Sequence, residues 1–300
     1  MKKAVILATA LAAFSATSAL AADMAVKAHP LAAPVSPWDL AFGGAIMNDY
    51  EFRGITQSDH RPSVAEYQEL RYNFNPSLQA YAGLSGESID FPNHAAAEVD
   101  IYGGLRPTFG PIALDLGAWY YYYPGGQQFD ITNPLPNGNV IKGDLSFWEF
   151  YFKPTWNVND SLAVGVNEFY DPNWLNSGAW GNYFSGTVKY TLPGTLHLPL
   201  GAAAYVSGEL GHYWFGTTDS FYSLPALGGI ALPDYTTWNV GLGFTYKVFT
   251  LDLRYYDTDL SKANCQILTS DQTSNGLASS WCGQSFVAKF SFDMTLGSLK

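Results

Sequence analysis

Fourteen ionisable residues share one face of a chain that alternates polar and apolar positions. Glu69, Glu98, Asp100, Asp115, Glu149, Glu209, Asp252 and Asp293 stand against Arg71, Arg106, Lys153, Lys189, Arg254 and Lys289. Opposed charges around an enclosed aqueous space create a transverse field that orients polar solutes, and rings of charge set selectivity in channels. The plainer reading is a set of cross-strand ion pairs that plug a narrow lumen. Neither sign dominates, so open pore and occluded lumen both stand. The absence of an arginine ladder argues against a path dedicated to acidic oligosaccharides.

A second group, Asp49, Glu51, Arg53 and Asp59, sits where one alternating segment gives way to a polar stretch. It is expected at the mouth of the enclosed space. Arg53 there either guards the mouth or, more plainly, neutralises the neighbouring carboxylates and fixes the loop. Further acids occupy the intervening stretches: Asp90, Asp130, Asp219, Asp234, Asp257 and Asp271 among them. They bias a mouth toward cations, or are simply solvated loop charges. No run has calcium-loop spacing, and no metal site is expected.

Hydrolytic chemistry finds little support. A Ser-His-acid set is recognised by geometry, and His60 beside Ser58 and Asp59 is adjacency in sequence only. His29, His94, His197 and His212 lie outside any nucleophile motif, and Gly-x-Ser-x-Gly is absent. Pairs such as Gly43-Gly44 read as bends, not phosphate cradles, because no strand-loop-helix pattern surrounds them. No enzyme activity, cofactor or catalytic residue is expected.

The two cysteines, Cys265 and Cys282, are expected to pair in an oxidising compartment. A short closed loop of that kind contributes roughly 3 kcal/mol. The alternatives are two free thiols or, without nearby His, half a zinc site.

What positions these residues is a period of two, the mark of strands with unlike faces. In Phe249–Tyr256, Phe249, Leu251, Leu253 and Tyr255 oppose Thr250, Asp252, Arg254 and Tyr256. Twelve such segments are expected, near 38–50, 63–73, 78–87, 96–107, 112–123, 144–154, 161–170, 180–192, 200–211, 235–246, 249–256 and 285–295. Their connections alternate strictly between short and long. That is the pattern of an antiparallel barrel with turns at one rim and loops at the other, as in outer-membrane barrels with short periplasmic turns and longer extracellular loops.

Three features favour a membrane barrel over a soluble β-sandwich. Twelve strands enclose a lumen too wide for apolar side chains to fill. The segments approach the roughly 9–11 residues of a tilted membrane strand. Pairs such as Trp238 with Tyr246, Trp180 with Tyr190 and Tyr120 with Tyr122 end the apolar face as girdles. Backbone groups in hydrocarbon must pair internally, so helices and closed barrels alone span it. After the first residues the chain has no apolar run of spanning length.

Those first residues, Met1 to Ala21, combine Lys2 and Lys3, a short apolar stretch and small residues at Ala19-Leu20-Ala21. They read as a cleaved secretory signal peptide. Residues 22–37, with Pro30, Pro34 and Pro37, read as a periplasmic lead-in, and 38–296 as one barrel domain. Charged residues are 14% of the chain, little for a soluble surface. Losing Lys2 and Lys3 takes the net charge from −11 to −13, which excludes nucleic acid as a partner.

Asn48-Asp49-Tyr50-Glu51-Phe52-Arg53-Gly54-Ile55-Thr56-Gln57-Ser58-Asp59 resembles the opening signature of the TorF-type porins of proteobacteria. Glu98-Val99-Asp100-Ile101-Tyr102-Gly103-Gly104, Trp119-Tyr120-Tyr121-Tyr122-Tyr123-Pro124-Gly125 and Arg254-Tyr255-Tyr256-Asp257-Thr258-Asp259 with Cys265 are similar to its later motifs. The resemblance covers nearly all of the chain after residue 21 and implies an outer-membrane barrel of the porin kind, with no substrate attached. Two departures stand out. The chain ends Leu296-Gly297-Ser298-Leu299-Lys300, so either Phe292 acts as the terminal aromatic for insertion or that signal is weak. The apolar stretch between His212 and Asp234 forms either a lumen constriction or, more plainly, an external flap.

The expectation is therefore an all-β protein, a single antiparallel transmembrane β-barrel of about twelve strands in the bacterial outer membrane. It passes small hydrophilic solutes or ions by diffusion; the alternative is a closed-lumen structural or surface-recognition barrel. Expected partners are outer-membrane lipid, those solutes, periplasmic chaperones and the outer-membrane assembly machinery, with oligomeric state open.

Overall fold

Alternation of residue type becomes alternation of environment along the strands. In Ser63–Asn75 the odd positions through Arg71 are buried while Val64, Glu66, Gln68 and Leu70 are exposed. The computed structural model describes residues 37–129, 140–194, 198, 201–219, 229–271 and 278–299. The expected signal peptide, and the lead-in up to residue 36, lie outside the described residues.

Twelve strands form one closed antiparallel barrel: β1 Trp38–Met47, β2 Ser63–Asn75, β3 Leu78–Glu87, β4 Glu98–Phe109, β5 Ile112–Tyr122, β6 Phe147–Asn157, β7 Leu162–Asp171, β8 Gly181–Thr191, β9 Ala203–Phe215, β10 Tyr235–Tyr246, β11 Phe249–Thr258 and β12 Ser285–Thr295. Each pairs with its neighbours in sequence, and β1 closes the ring on β12, Ala41 opposite Thr295 and Met47 opposite Lys289. Closure leaves no open edge. Turns as tight as Pro76-Ser77, Gly110-Pro111 and Lys247-Val248 mark one rim, and both strand termini of the barrel lie there. The longer connections mark the other.

All twelve expected segments are strands. The largest boundary difference is β9, expected to stop at residue 211 but continuing to Phe215. Tyr213 stands opposite Tyr235 and packs on Phe215, so inward-facing rings keep the strand paired for four more residues. His212, expected at a strand end, lies within it, its Nδ1 bonded to Thr236 Oγ1 at 3.0 Å.

The outward face is apolar and exposed, with Ile46, Leu210 and Phe286 between 60% and 74% accessible. Trp180, Tyr122, Tyr190 and Tyr246 are exposed near strand ends. No helix among the described residues is long and apolar enough to cross a membrane.

The interior corrects one expectation. Twelve strands are expected to enclose a lumen too wide for apolar side chains to fill, yet its long-loop half is packed with rings. Trp119 stacks on Tyr102 at 4.3 Å, Tyr121 on Phe147 at 4.8 Å, and Tyr213 on Phe215 at 4.1 Å. In the Trp119–Tyr123 run the odd residues point in and are buried, while Tyr122 points out. Several rings lie flat over inward glycines of the next strand: a Cβ on Gly83 would strike Tyr102, and one on Gly243 would strike Tyr205.

Two elements of the long loops matter for the site. Glu51–Phe52 and Ile55–Thr56 form a short hairpin, Phe52 opposite Ile55. The last loop carries helix α1, Lys262–Thr269, capped by Ser261, whose hydroxyl accepts from Asn264 N. Its Cys265 is disulfide-bonded to Cys282, Cα to Cα 5.8 Å. The two loops are joined: Thr56 N donates to Trp281 O at 3.0 Å, and Trp281 Nε1 to Asp59 Oδ1 at 3.0 Å.

Candidate functional site: the barrel interior

All fourteen charges assigned by strand phase are buried or half-buried on the inward face. They fall into two levels with different chemistry.

Toward the short-turn rim the charges are mixed and paired. Glu69 holds Arg71 Nε at 2.5 Å and takes a fork from Arg106, with Nη1 at 2.7 Å and Nη2 at 2.9 Å. Arg106 and Lys153 share Asp115, at 3.4 Å and 3.5 Å. Across the barrel Arg254 holds Asp252 at 3.0 Å and donates to Ser207 Oγ at 2.7 Å. Lys189 lies over the Tyr205 ring at 4.2 Å, and Lys289 stands opposite Asp252 in register. Tyr67 donates to Asp293 at 2.8 Å. Solvent still reaches this level: the side chains of Lys153, Asp115 and Arg106 are 22%, 18% and 15% accessible.

Toward the long-loop rim the level is acidic and sealed. Glu98 accepts from Tyr50 at 2.6 Å and from Tyr123 at 2.8 Å. Asp100 accepts from Ser85 at 3.0 Å. Glu87, Glu98 and Asp100 each bring an oxygen within 4.8 Å of the others. Glu209 accepts from Tyr183 at 2.8 Å, and Asp171 from Tyr213. Glu149 accepts from Tyr121 at 3.0 Å.

Among the described residues one cation enters this acidic level, and it comes from a loop. The hairpin turns through Arg53, φ 49°, and Gly54, φ 79°, the two left-handed positions of a tight hairpin turn. It folds inward, and Arg53 Nη1 lies 2.8 Å from Glu149 Oε1, each side chain 1% accessible. The rings of Phe52, Phe169, Tyr183 and Tyr213 surround its Cζ at 4.5–4.9 Å. Tyr235 donates to its carbonyl at 3.1 Å.

This corrects the expected partners of Arg53: none of Asp49, Glu51 or Asp59 pairs with it. Those acids satisfy the loop locally instead. Asp49 accepts from Thr56 Oγ1 at 2.5 Å and Ser58 Oγ at 3.1 Å, and pairs with His60 Nδ1 at 2.7 Å. Asp59 pairs with Arg61 at 3.0 Å. Glu51 is carried into a buried position; burial and then Asp49 push its carboxyl up to about 8. His60, between Asp49 and Ser280 O at 2.9 Å, is raised to about 9, chiefly by the Asp49 hydrogen bond. With both ring nitrogens facing oxygens it acts as a donor on both sides.

Of the apolar stretch before Asp234, Phe221, Tyr222, Leu224 and Leu227 lie outside the described residues. Leu232 is buried, and Thr217 pairs with Ala231. Sequence reasoning missed Tyr50, Glu87, Phe169, Asp171, Tyr183 and Tyr213. The alternation within β8 and β9 already carried the signal for Tyr183 and Tyr213, which share parity with the assigned Lys189 and Glu209.

No curated protein matches the chain. Among solved structures it is similar to a NanC porin, at 12% identity over 84% of this chain and 98% of that one with a TM-score of 0.45. It is similar to a KdgM porin at 8% identity, 85% and 98% coverage and a TM-score of 0.42. An OmpT lacking loop L8, an outer membrane protein of Vibrio cholerae, gives 11% identity, 86% and 98% coverage and a TM-score of 0.38. At these scores the likeness does not extend to function. Residues 31–282 match the family described as "Bacterial protein of unknown function (Gcw_chp)", and the chain belongs to that family.

Proposed function

We propose that this protein is an outer-membrane channel for small hydrophilic solutes, with a lumen stopped at one level by an inserted loop. One contrast carries the reading. The short-turn half of the interior is charged and solvent-reached, whereas the long-loop half is closed by the Glu51–Thr56 hairpin, a part of no barrel strand. A barrel serving only as a wall would have no need of a hydrated, charge-lined chamber, since burying ion pairs costs desolvation that apolar packing avoids. The exposed apolar belt supports a lipid setting. The TorF-type resemblance at Asn48–Asp59 points the same way, as does a signal peptide over residues 1–21. Chaperones and the outer-membrane assembly machinery would then handle the chain before insertion.

Swelling of proteoliposomes in graded uncharged sugars tests this. Entry of small sugars with a sharp size limit supports a channel. Folded, inserted barrel with no sugar or ion flux contradicts it and leaves the second reading, a closed structural barrel, which the depth of Arg53 burial favours.

A further inference from the structure

We infer that the wall around Arg53 is a binding site for a guanidinium group, occupied here by the chain's own side chain and available to a guanidinium-bearing solute when the hairpin withdraws. The site belongs to the barrel. Phe169, Tyr183 and Tyr213 stand in direct register across β7, β8 and β9, so three rings form one row along the wall. Glu149 on β6 faces them, with one oxygen fixed by the Tyr121 hydroxyl at 3.0 Å and the other aimed at the guanidinium at 2.8 Å. Asp171, at the end of β7, is buried beside Glu149 and held by Tyr213. All of these positions are set by barrel strands and their own hydrogen bonds, without help from the hairpin. Sites on rigid elements with supported side chains stay preorganised when a ligand leaves.

The chemistry selects a guanidinium over a compact ammonium. A planar, weakly hydrated cation can lie against several ring faces and still reach a carboxylate in plane. Two carboxyls beside it can take a second fork of N–H groups. Hairpin insertion, in turn, asks for an arginine in left-handed backbone and carries Glu51 into a buried place beside Asp49. Both oppose insertion, and the cage contributes to the affinity that offsets them, together with the Tyr235 bond to Arg53 O and the Thr56 N bond to Trp281 O.

The inference rests on the channel reading only for the solute's passage; binding in the cage is tested apart from it. Arg53→Ala and Arg53→Met barrels, purified whole and inserted in lipid, are compared with the parent by thermal unfolding and by bilayer current. Guanidinium chloride at roughly ten times its dissociation constant is expected to raise the midpoint of either variant by about 2–4 °C over equal sodium chloride, and leave the parent unmoved. Adding Glu149→Gln should abolish that shift. Where current flows, guanidinium should block the Arg53→Ala pore and spare the parent. Equal shifts in parent and variants, or none in the variants, overturn the site. So does failure of both variants to assemble, since a cage the fold cannot do without is a structural plug. A guanidinium shift without any current would sink the channel and keep the site.

Discussion

Replacing Glu149 by Gln removes the countercharge of Arg53 while preserving the side-chain shape. Both groups are 1% accessible, so water cannot compensate. Breaking a buried pair from one side costs about 3–5 kcal/mol. The four rings remain, and Asp171 beside the gap takes over part of the field. Allowing about half the cost for that leaves roughly 1.5–2.5 kcal/mol acting on the hairpin. The hairpin need not accept that cost: it is outside the barrel ladder and can leave the lumen, giving up the Tyr235 bond to Arg53 O and the Thr56 N bond to Trp281 O, about 1 kcal/mol each, and the ring contacts. The barrel should therefore stay folded while the withdrawn population rises about 10- to 100-fold. Trypsin reads this directly. It can cut after Arg53 only when the hairpin is out, and the next arginine, Arg61, precedes Pro62 and resists cleavage. When opening is fast, cleavage tracks the open population. Mass spectrometry should show the cut at Arg53-Gly54 accelerated by that factor in Glu149→Gln. A rate within about twofold of the parent would refute the latch. A large drop in barrel stability with no cleavage would instead assign Glu149 to the wall.

Three further outcomes follow from the same geometry. Gly54→Ala places a Cβ 2.5 Å from Thr237 Oγ1 at a φ of 79°, so the hairpin should be expelled and Arg53 exposed to trypsin as in Glu149→Gln; unchanged resistance would contradict the turn's role. Cys265 and Cys282 should resist alkylation until reduced, and Ser at both should loosen the rim by up to about 3 kcal/mol, read as hydrogen exchange at Thr56 and Trp281; free labelling of the native barrel would contradict the bridge. His60, raised to about 9 from 6.5, holds the rim fully below its unfolded value and lets go as pH rises through about 9. Glu51, raised to about 8 from 4.5, keeps a proton in the fold that the unfolded chain has lost, so it too costs stability as pH climbs across that window. Rim proteolysis should therefore increase toward alkaline pH, more weakly in His60→Ala, with His60 discounted because it is two-fifths exposed. A rim that tightens with pH would reverse the assignment.

The barrel was legible because two solvents act on alternate residues. Phe249, Leu251 and Leu253 face one, and Asp252 and Arg254 the other, and each strand repeats the contrast independently. Register followed, since slipping one residue would invert every face. The plug was not legible. Arg53 and Glu149 are far apart in sequence, and nothing local says that a loop cation will find an acid on β6. Asp49, Glu51 and Asp59 lie nearer in the chain and are the partners that proximity in sequence suggests, but Thr56, Ser58, His60 and Arg61 satisfy two of them. Inward tyrosines were equally hidden, because an amphipathic ring suits a headgroup girdle as well as a lumen. Parity distinguishes them in the Trp119–Tyr123 run: position 122 faces out, and 119, 121 and 123 face in. The Phe52-Arg53-Gly54-Ile55 pattern, two apolar residues flanking a turn-forming pair, was a readable hairpin signal.

Single-channel conductance of the parent barrel against Arg53→Ala, both in planar bilayers under the same salt gradient, tests the central claim most directly. The parent should insert and pass a small or intermittent current, and Arg53→Ala a larger, steady one with a reversal potential favouring cations, as the acids it uncovers require. Equal conductance in the two, or stable insertion of both with no current, would contradict a channel stopped by this hairpin.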